Sequence, residues 1–331
     1  MLAHTPSIFS DKRRMKKMIL AVFVVIALAA GAVLYLSPAA QLTAYQSIEQ
    51  WRAGLHERSV SVNDLNVSYY EGGPQGAETV LLVHGFGADK STWLWFARDL
   101  TERYHVIAVD LPGFGDSGRP HGSYDVGTQA ERLAAFVDAL SIRRLHLVGH
   151  SMGGHIAALY AARYPEQVTS LALMANAGID APRRSDFFRG LEERGDNPLV
   201  VESTLQFDQL LDWLFVAPPQ LPERIHQYLA QRAVDDSAHQ RVVFDHLRQR
   251  YLPLEPELPR ISAPTLLLWG DQDRILDVSS IEVMKPLLAD PSVVIMKGCG
   301  HAPMLERPEE TAAQYLQFVG THGAQATATK Q

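Results

Sequence analysis

The chain has 331 residues, room for one large α/β domain or two ordinary ones. With 47% hydrophobic and 20% charged residues it is neither disordered nor of low complexity. Its one cysteine, Cys299, excludes a disulfide framework and any metal site built from cysteines, and a net charge of −7 argues against a nucleic-acid partner, whose phosphates call for a basic surface.

The charge is spread unevenly. Lys12, Arg13, Arg14, Lys16 and Lys17 fall in one run, and Asp11 is the only acid before residue 38; without these six, 25 basic and 36 acidic residues leave −11 on the rest. Residues 1–17 read as a basic cytoplasmic N-terminus, with Met15 an alternative start. Met18 to Leu36 follows with no charge and no proline, and as a helix its 19 residues would measure roughly 29 Å, about the thickness of a bilayer's hydrocarbon core. A cleaved secretory signal shares this layout. The run is longer than the usual ~7–15 residues of a signal core, however, and its small residues (Ala29, Ala30, Ala32) lie inside it rather than after it. No cysteine follows that could carry a lipid. The preferred reading is an uncleaved transmembrane anchor over residues 18–37. The positive-inside rule then keeps the basic run in the cytoplasm and places the remainder across the membrane.

Residues 38–58 read as a juxtamembrane helix, with Leu42, Tyr45, Ile48, Trp51 and Leu55 on a broad face. Tyr and Trp suit a membrane interface, and the same face could equally pack on the following domain or on a second copy, so a homodimer stays open. From residue 59 strands alternate with helices. Ser59 to Tyr70 has the pattern of a hairpin. Short apolar runs at 79–83, 106–110, 145–148, 171–174, 265–269 and 293–296 read as strands, with helices over 92–100, 128–140 and 152–163. This rhythm implies a mostly parallel central sheet with helices on both faces. Residues 59–178 and 261–320 form this core. The interval 179–260 shows no buried strand but many bulky apolar residues, Phe187, Phe188, Phe207 and Trp213 among them, and reads as a helical cap insertion. The tail, 321–331, is small and polar and is expected to be disordered.

Three segments carry chemistry. Gly149-His150-Ser151-Met152-Gly153 sits between a predicted strand and a predicted helix, the setting of a nucleophile elbow. Turning from strand directly into helix strains Ser151, and Gly149 and Gly153 allow the close backbone approach this needs. A serine hydroxyl needs a base, most often histidine held by a carboxylate. Of 13 histidines, His301 follows the last predicted strand, where a loop would bring it to the upper edge of the sheet. The acid should lie between serine and histidine in chain order; Asp273 is preferred for its place in the loop after 265–269, with Asp271 the fallback and Asp277 third. His84-Gly85-Phe86-Gly87 follows the strand at 79–83 and offers the N–H of Phe86, with that of Met152, to a developing oxyanion. His150 and His155 read as supporting or helix-face residues, and Cys299 as a packing residue. There is no dinucleotide fingerprint, P-loop or zinc-protease motif, and neither cofactor nor metal is expected.

The segments LLVHGFG (81–87), DLPGFGDSGRP (110–120), LVGHSMGG (147–154), LLLWGDQDRILD (266–277) and GCGHAPMLERPEE (298–310) together resemble the α/β-hydrolase superfamily over nearly all of residues 60–320. NPLV (197–200) and APPQLPERI (217–225) resemble the cap of the bacterial family V lipases and esterases, and the N-terminal helix is similar to that of a membrane-anchored bacterial phospholipase A of the same type. The resemblance implies an α/β-hydrolase fold with Ser151 as nucleophile, His301 as base, Asp273 as its orienting acid, and Phe86 and Met152 as oxyanion donors. It implies a serine carboxylic-ester hydrolase, of lipase, esterase or phospholipase A type, in the bacterial inner membrane with its catalytic domain on the periplasmic side. Two alternatives share the scaffold: a carbon–carbon bond hydrolase of aromatic ring-cleavage products, and a non-catalytic binding protein. An aspartate in place of Ser151 would have pointed to epoxide or halide chemistry.

Overall fold

A computed structural model of the chain describes residues 8–195 and 197–328 and, within them, all side chains except those of 8–13, 26–30, 32, 34 and 323–328. Helix α1 (Ile8–Leu36) runs unbroken through the basic run and the apolar stretch, and its side chains from Met18 to Val25 are exposed. Among the described residues, no helix is long and apolar enough to cross a membrane. Several side chains of the expected 18–37 anchor, those of 26–30, 32 and 34, lie outside the description, as does the start of the expected basic N-terminus, residues 1–7.

Helix α2 (Pro38–Arg52) starts on the Ser37 hydroxyl, which accepts from the N–H of Ala40 at 3.2 Å, with proline at the first helical position, where its missing N–H costs nothing. It ends earlier than the expected 38–58. Gly54 turns the chain at φ +61° and strand β1 (Leu55–Val62) begins at once, because Leu55 pairs with Gly72 and buries its side chain in the core instead of extending the helical face. Helix α2 packs on the domain. Buried Glu49 pairs with Arg52 at 3.0 Å and also with Arg98, and Gln50 donates to the Tyr70 hydroxyl at 2.8 Å.

Asn63 and Asp64, both with positive φ, make the two-residue turn into β2 (Leu65–Gly72), as a tight hairpin requires. Then follow β3 (Thr79–Val83), α3 (Leu94–Ala97), β4 (His105–Val109), α4 (Val126–Ala139), β5 (Leu145–His150), α5 (Met152–Arg163) and β6 (Val168–Met174). No strand forms among the described residues between β6 and β7 (Thr265–Gly270). Four helices stand there instead, α6 (Asp186–Arg194), α7 (Thr204–Leu214), α8 (Glu223–Asp235) and α9 (Ser237–Gln249). The chain closes with α10 (Ser280–Met284), β8 (Pro291–Met296), α11 (Pro303–Glu306) and α12 (Pro308–Ala328). The last helix carries the backbone through residue 328, so the tail expected to be disordered from 321 is helical as far as it is described; no proline interrupts it, and its Ala and Gln residues favour a helix.

The sheet order is β1-β2-β4-β3-β5-β6-β7-β8, parallel from β4 to β8, with the β1–β2 hairpin antiparallel at one edge. Alternation along β3 shows how it is covered: Leu81 and Val83 face the core under α4 and α5, while Val80 and Leu82 face the core of Trp93, Phe96 and Tyr315 under α3 and α12. The C-terminal ends of β3, β5, β7 and β8 share one edge. In open parallel sheets this is the edge where ligands bind.

Candidate active site

Strand β5 passes into α5 with one residue between them. That residue, Ser151, has φ 55° and ψ −120°, a region costing about 1–3 kcal/mol for a side-chain-bearing residue. The backbone holds it there: its N–H donates to Met174 O at 3.0 Å, and its carbonyl accepts from Ala177 at 3.0 Å and His155 at 3.1 Å. A Cβ on Gly149 would strike the Gly153 carbonyl, and one on Gly153 would strike the carbonyl oxygens of Val83 and His84. A Cβ on Gly85 would lie 3.0 Å from that of Ser151, so the loop after β3 rests directly against the serine.

His301 and Asp273 meet. Nδ1 of His301 donates to Asp273 Oδ2 at 2.8 Å, and both side chains are buried. The other carboxylate oxygen of Asp273 accepts from the N–H groups of Ile275 at 2.8 Å and Leu276 at 2.9 Å, fixing the carboxylate plane. The other two aspartates have different partners. Asp271 accepts from Gly298 N at 2.7 Å and braces the histidine loop, while Asp277 pairs with Arg183 at 3.2 Å. No hydrogen bond joins Ser151 to His301 among the described residues. The ring nearest His301 is that of His150, next to the serine, with centroids 4.7 Å apart.

Phe86 and Met152 flank Ser151 on the same cavity, and among the described residues neither N–H donates to a protein acceptor. Met152 is the first residue of α5, where N–H groups are left unpaired and the helix dipole favours negative charge.

Several further residues support these groups. His84 is fully buried: its Nδ1–H donates to Gly85 O at 2.8 Å while Nε2 accepts from Leu111 N at 3.0 Å, which fixes a neutral ring and clamps the Phe86 loop. Burial pushes its pKa down. His150 donates from Nε2 to the backbone carbonyl of His301 at 2.9 Å, and burial with the neighbouring His301 holds it well below the usual histidine range. His155 donates to Leu252 O at 2.8 Å, and burial lowers it to about 4. Glu306 accepts from Gly300 N at 2.8 Å and Ala217 N at 3.0 Å, tying the histidine loop to the cap. Lys90, buried, pairs with Asp110 at 2.8 Å and Asp116 at 2.5 Å and pins the loop after β4. Cys299 is buried beside Glu306, and desolvation raises its thiol to about 12, so it is inert as a nucleophile. Among the described residues, no cluster of three His, Cys, Asp or Glu is arranged to hold a metal ion.

A cavity of about 170 Å³ opens on Ser151 and is almost wholly apolar, with Phe187, Phe188, Leu191, Phe244 and Leu247 of the cap over Met152 and Ile275 of the core. Phe86 and Leu199 separate it from a larger chamber of about 510 Å³ beneath α7 and α8. A pre-oriented imidazole–carboxylate pair, a strained serine and two free backbone donors beside an apolar cavity can together support acyl transfer.

Comparison with known proteins points the same way. Residues 78–308 match the family described as alpha/beta hydrolase fold. The chain is 34% identical over 257 residues to Lipase 1 of Psychrobacter immobilis, covering 76% of this chain and 79% of that one. It is 31% identical over 288 residues to monoacylglycerol lipase ABHD6 of Bos taurus, covering 82% and 85%. The crystal structure of a membrane phospholipase A, a bacterial virulence factor, superposes with a TM-score of 0.86 at 60% identity, covering 93% of this chain and 99% of that one.

Proposed function

The chain belongs to the α/β-hydrolase family and is a hydrolase of the lipase, esterase and phospholipase type; on that premise we propose that Ser151, His301 and Asp273 form its catalytic triad and that its substrate is a lipid acyl ester. The observation that carries the reading is the buried 2.8 Å pair of His301 and Asp273 beside a serine whose backbone is strained outward into an apolar cavity.

In the proposed reaction, the Ser151 hydroxyl turns toward Nε2 of His301 and passes it a proton while attacking the acyl carbon. Asp273 keeps the other ring proton on Nδ1 and stabilises the imidazolium. The tetrahedral oxyanion is met by the N–H groups of Phe86 and Met152, each such donor being worth about 10²–10³ in turnover. His301 returns the proton to the leaving alcohol. Water, activated by the same histidine, then attacks the acyl-enzyme, and the serine is regenerated as the acid departs. The apolar lining of the serine cavity suits an aliphatic acyl chain.

We further propose that residues 18–37 anchor the chain in a bacterial inner membrane, with the catalytic domain on the periplasmic side. The uncharged run behind five basic residues supports this, as does the similarity to a membrane phospholipase A. Ser151→Ala should abolish labelling by a fluorophosphonate and lower turnover of p-nitrophenyl esters by about 10⁶-fold with the fold intact. A variant that is still labelled refutes the assignment. Higher turnover of a dienone ring-cleavage product than of any ester would favour the carbon–carbon hydrolase instead.

A further inference from the structure

The 510 Å³ chamber beside the serine cavity has a polar end that ester cleavage alone does not use. Where it borders the serine cavity, its walls are Phe86 and Leu199, and Phe207, Leu210 and Leu229 continue the apolar side. The polar end is formed by Asp89, Arg119, Arg232, Asp235, Asp236 and Gln240.

Most of these groups are already engaged. Arg119 pairs with Asp236 at 2.5 Å, and Asp236 also accepts from the Gln240 amide at 2.6 Å. Asp89 accepts from Ser91 N at 2.9 Å, and one oxygen of Asp235 accepts from Gln231 at 2.8 Å. Arg232, on α8, differs. Among the described residues it has neither a carboxylate within 4 Å nor a hydrogen bond from its guanidinium, although it lines the chamber. A guanidinium presents a planar fork of donors matched to a phosphate. Three aspartates face two arginines here, so an anion held by Arg232 would sit among carboxylates, and the best complement carries an anion and a cation together.

The border at Phe86 sets the polarity of a bound lipid. With the scissile carbonyl at the Phe86 N–H, an acyl chain filling the Ser151 cavity leaves the alcohol side of the ester facing the chamber. We infer that the chamber is the headgroup site for a zwitterionic glycerophospholipid, with Arg232 holding the phosphate, Asp235 facing the headgroup ammonium, and the second acyl chain along Phe207, Leu210 and Leu229. This assignment rests on the ester-hydrolase reading above and adds the substrate class.

The test uses full-length protein in detergent and four substrates: phosphatidylethanolamine, phosphatidylglycerol and diacylglycerol in mixed micelles, and p-nitrophenyl butyrate. Arg232→Gln should lower kcat/KM on both phospholipids by about 10- to 100-fold, chiefly through KM, and leave the two phosphate-free substrates within about twofold. Arg232→Lys, which keeps the charge but loses the fork, should fall between. Asp235→Asn should reduce the preference for phosphatidylethanolamine over phosphatidylglycerol by about 3- to 10-fold. Equal loss on all four substrates, or unchanged phospholipid turnover in Arg232→Gln, overturns the assignment. Wild-type protein that cleaves diacylglycerol and p-nitrophenyl butyrate but no phospholipid also overturns it, while the ester-hydrolase reading stands. Protein that cleaves none of the four and takes no fluorophosphonate label fails at that earlier reading.

Discussion

The sheet and the cap draw on the same apolar residue types yet are held in opposite ways. Every residue of β5 and β7 is buried, and so is all of α5 except its last. In the cap, α7 has no fully buried residue, α8 has Ile225 and Ala230, and α9 has Val243 alone. The cap is fastened by mostly half-buried apolar side chains, Phe188, Leu191, Trp213, Phe244 and Leu247 among them, together with polar contacts at its rim. Arg119 meets Asp236, His239 donates to Gly113 O at 2.8 Å, Tyr124 N donates to His246 at 3.2 Å, and Leu214 O accepts from His301 N at 2.7 Å. Local opening is easiest where few apolar contacts are lost, so the part that carries the chemistry is rigid and the part that covers it is the easier to lift.

This contrast can be broken at graded points. Asp273→Asn strikes the rigid side: it should lower kcat by about 10⁴-fold through the wrong imidazole tautomer while thermal stability changes little, as activity assays and melting curves of the same samples would show. Acid probes the same side without mutation. His155 sits at about 4 when folded against 6.5 when unfolded, so the unfolded chain binds its proton first. Stability is intact above about pH 6.5 and falls by up to about 3 kcal/mol as pH drops toward 4, with the buried His84 and His150 acting in the same sense. Urea titrations across that window measure the slope, and His155→Gln should flatten it. Glu306→Gln acts where the two regions meet; it should cost about 1–2 kcal/mol and roughly tenfold in kcat, because the histidine loop and the Val216–Ala217 turn lose one shared acceptor. Arg119→Gln touches only the rim, and its exposed ion pair should be worth less than about 1 kcal/mol in a chemical melt. Were it to cost more than Glu306→Gln, the cap would be the better fastened of the two.

The parallel strands were legible because each is a short apolar run with glycine or a turn nearby, and Ser151, Asp273 and His301 stand in loops whose positions follow from those strands. The errors have physical reasons. Leu55 fits a helical face as well as a strand, and only its pairing with Gly72 decides between them. The residues beyond 320 look polar and small, but nothing in them breaks the helix they continue. His84, His150, Glu306 and Lys90 each act through at least one bond between distant segments, His84 with Leu111, His150 with His301, Glu306 with Ala217 and Lys90 with Asp110, and no local spacing encodes such bonds. The absence of strands across 179–260 was readable, whereas which cap residues face the serine depends on how four short helices stack.

Gly149 and Gly153 leave no space for even one methyl group around the serine, and Gly85 leaves very little. Mutational drift is therefore closed at the hydroxyl and its donors, and a lineage in search of a new diet must rewrite the roof, where bulk can be added or removed without moving the machinery underneath.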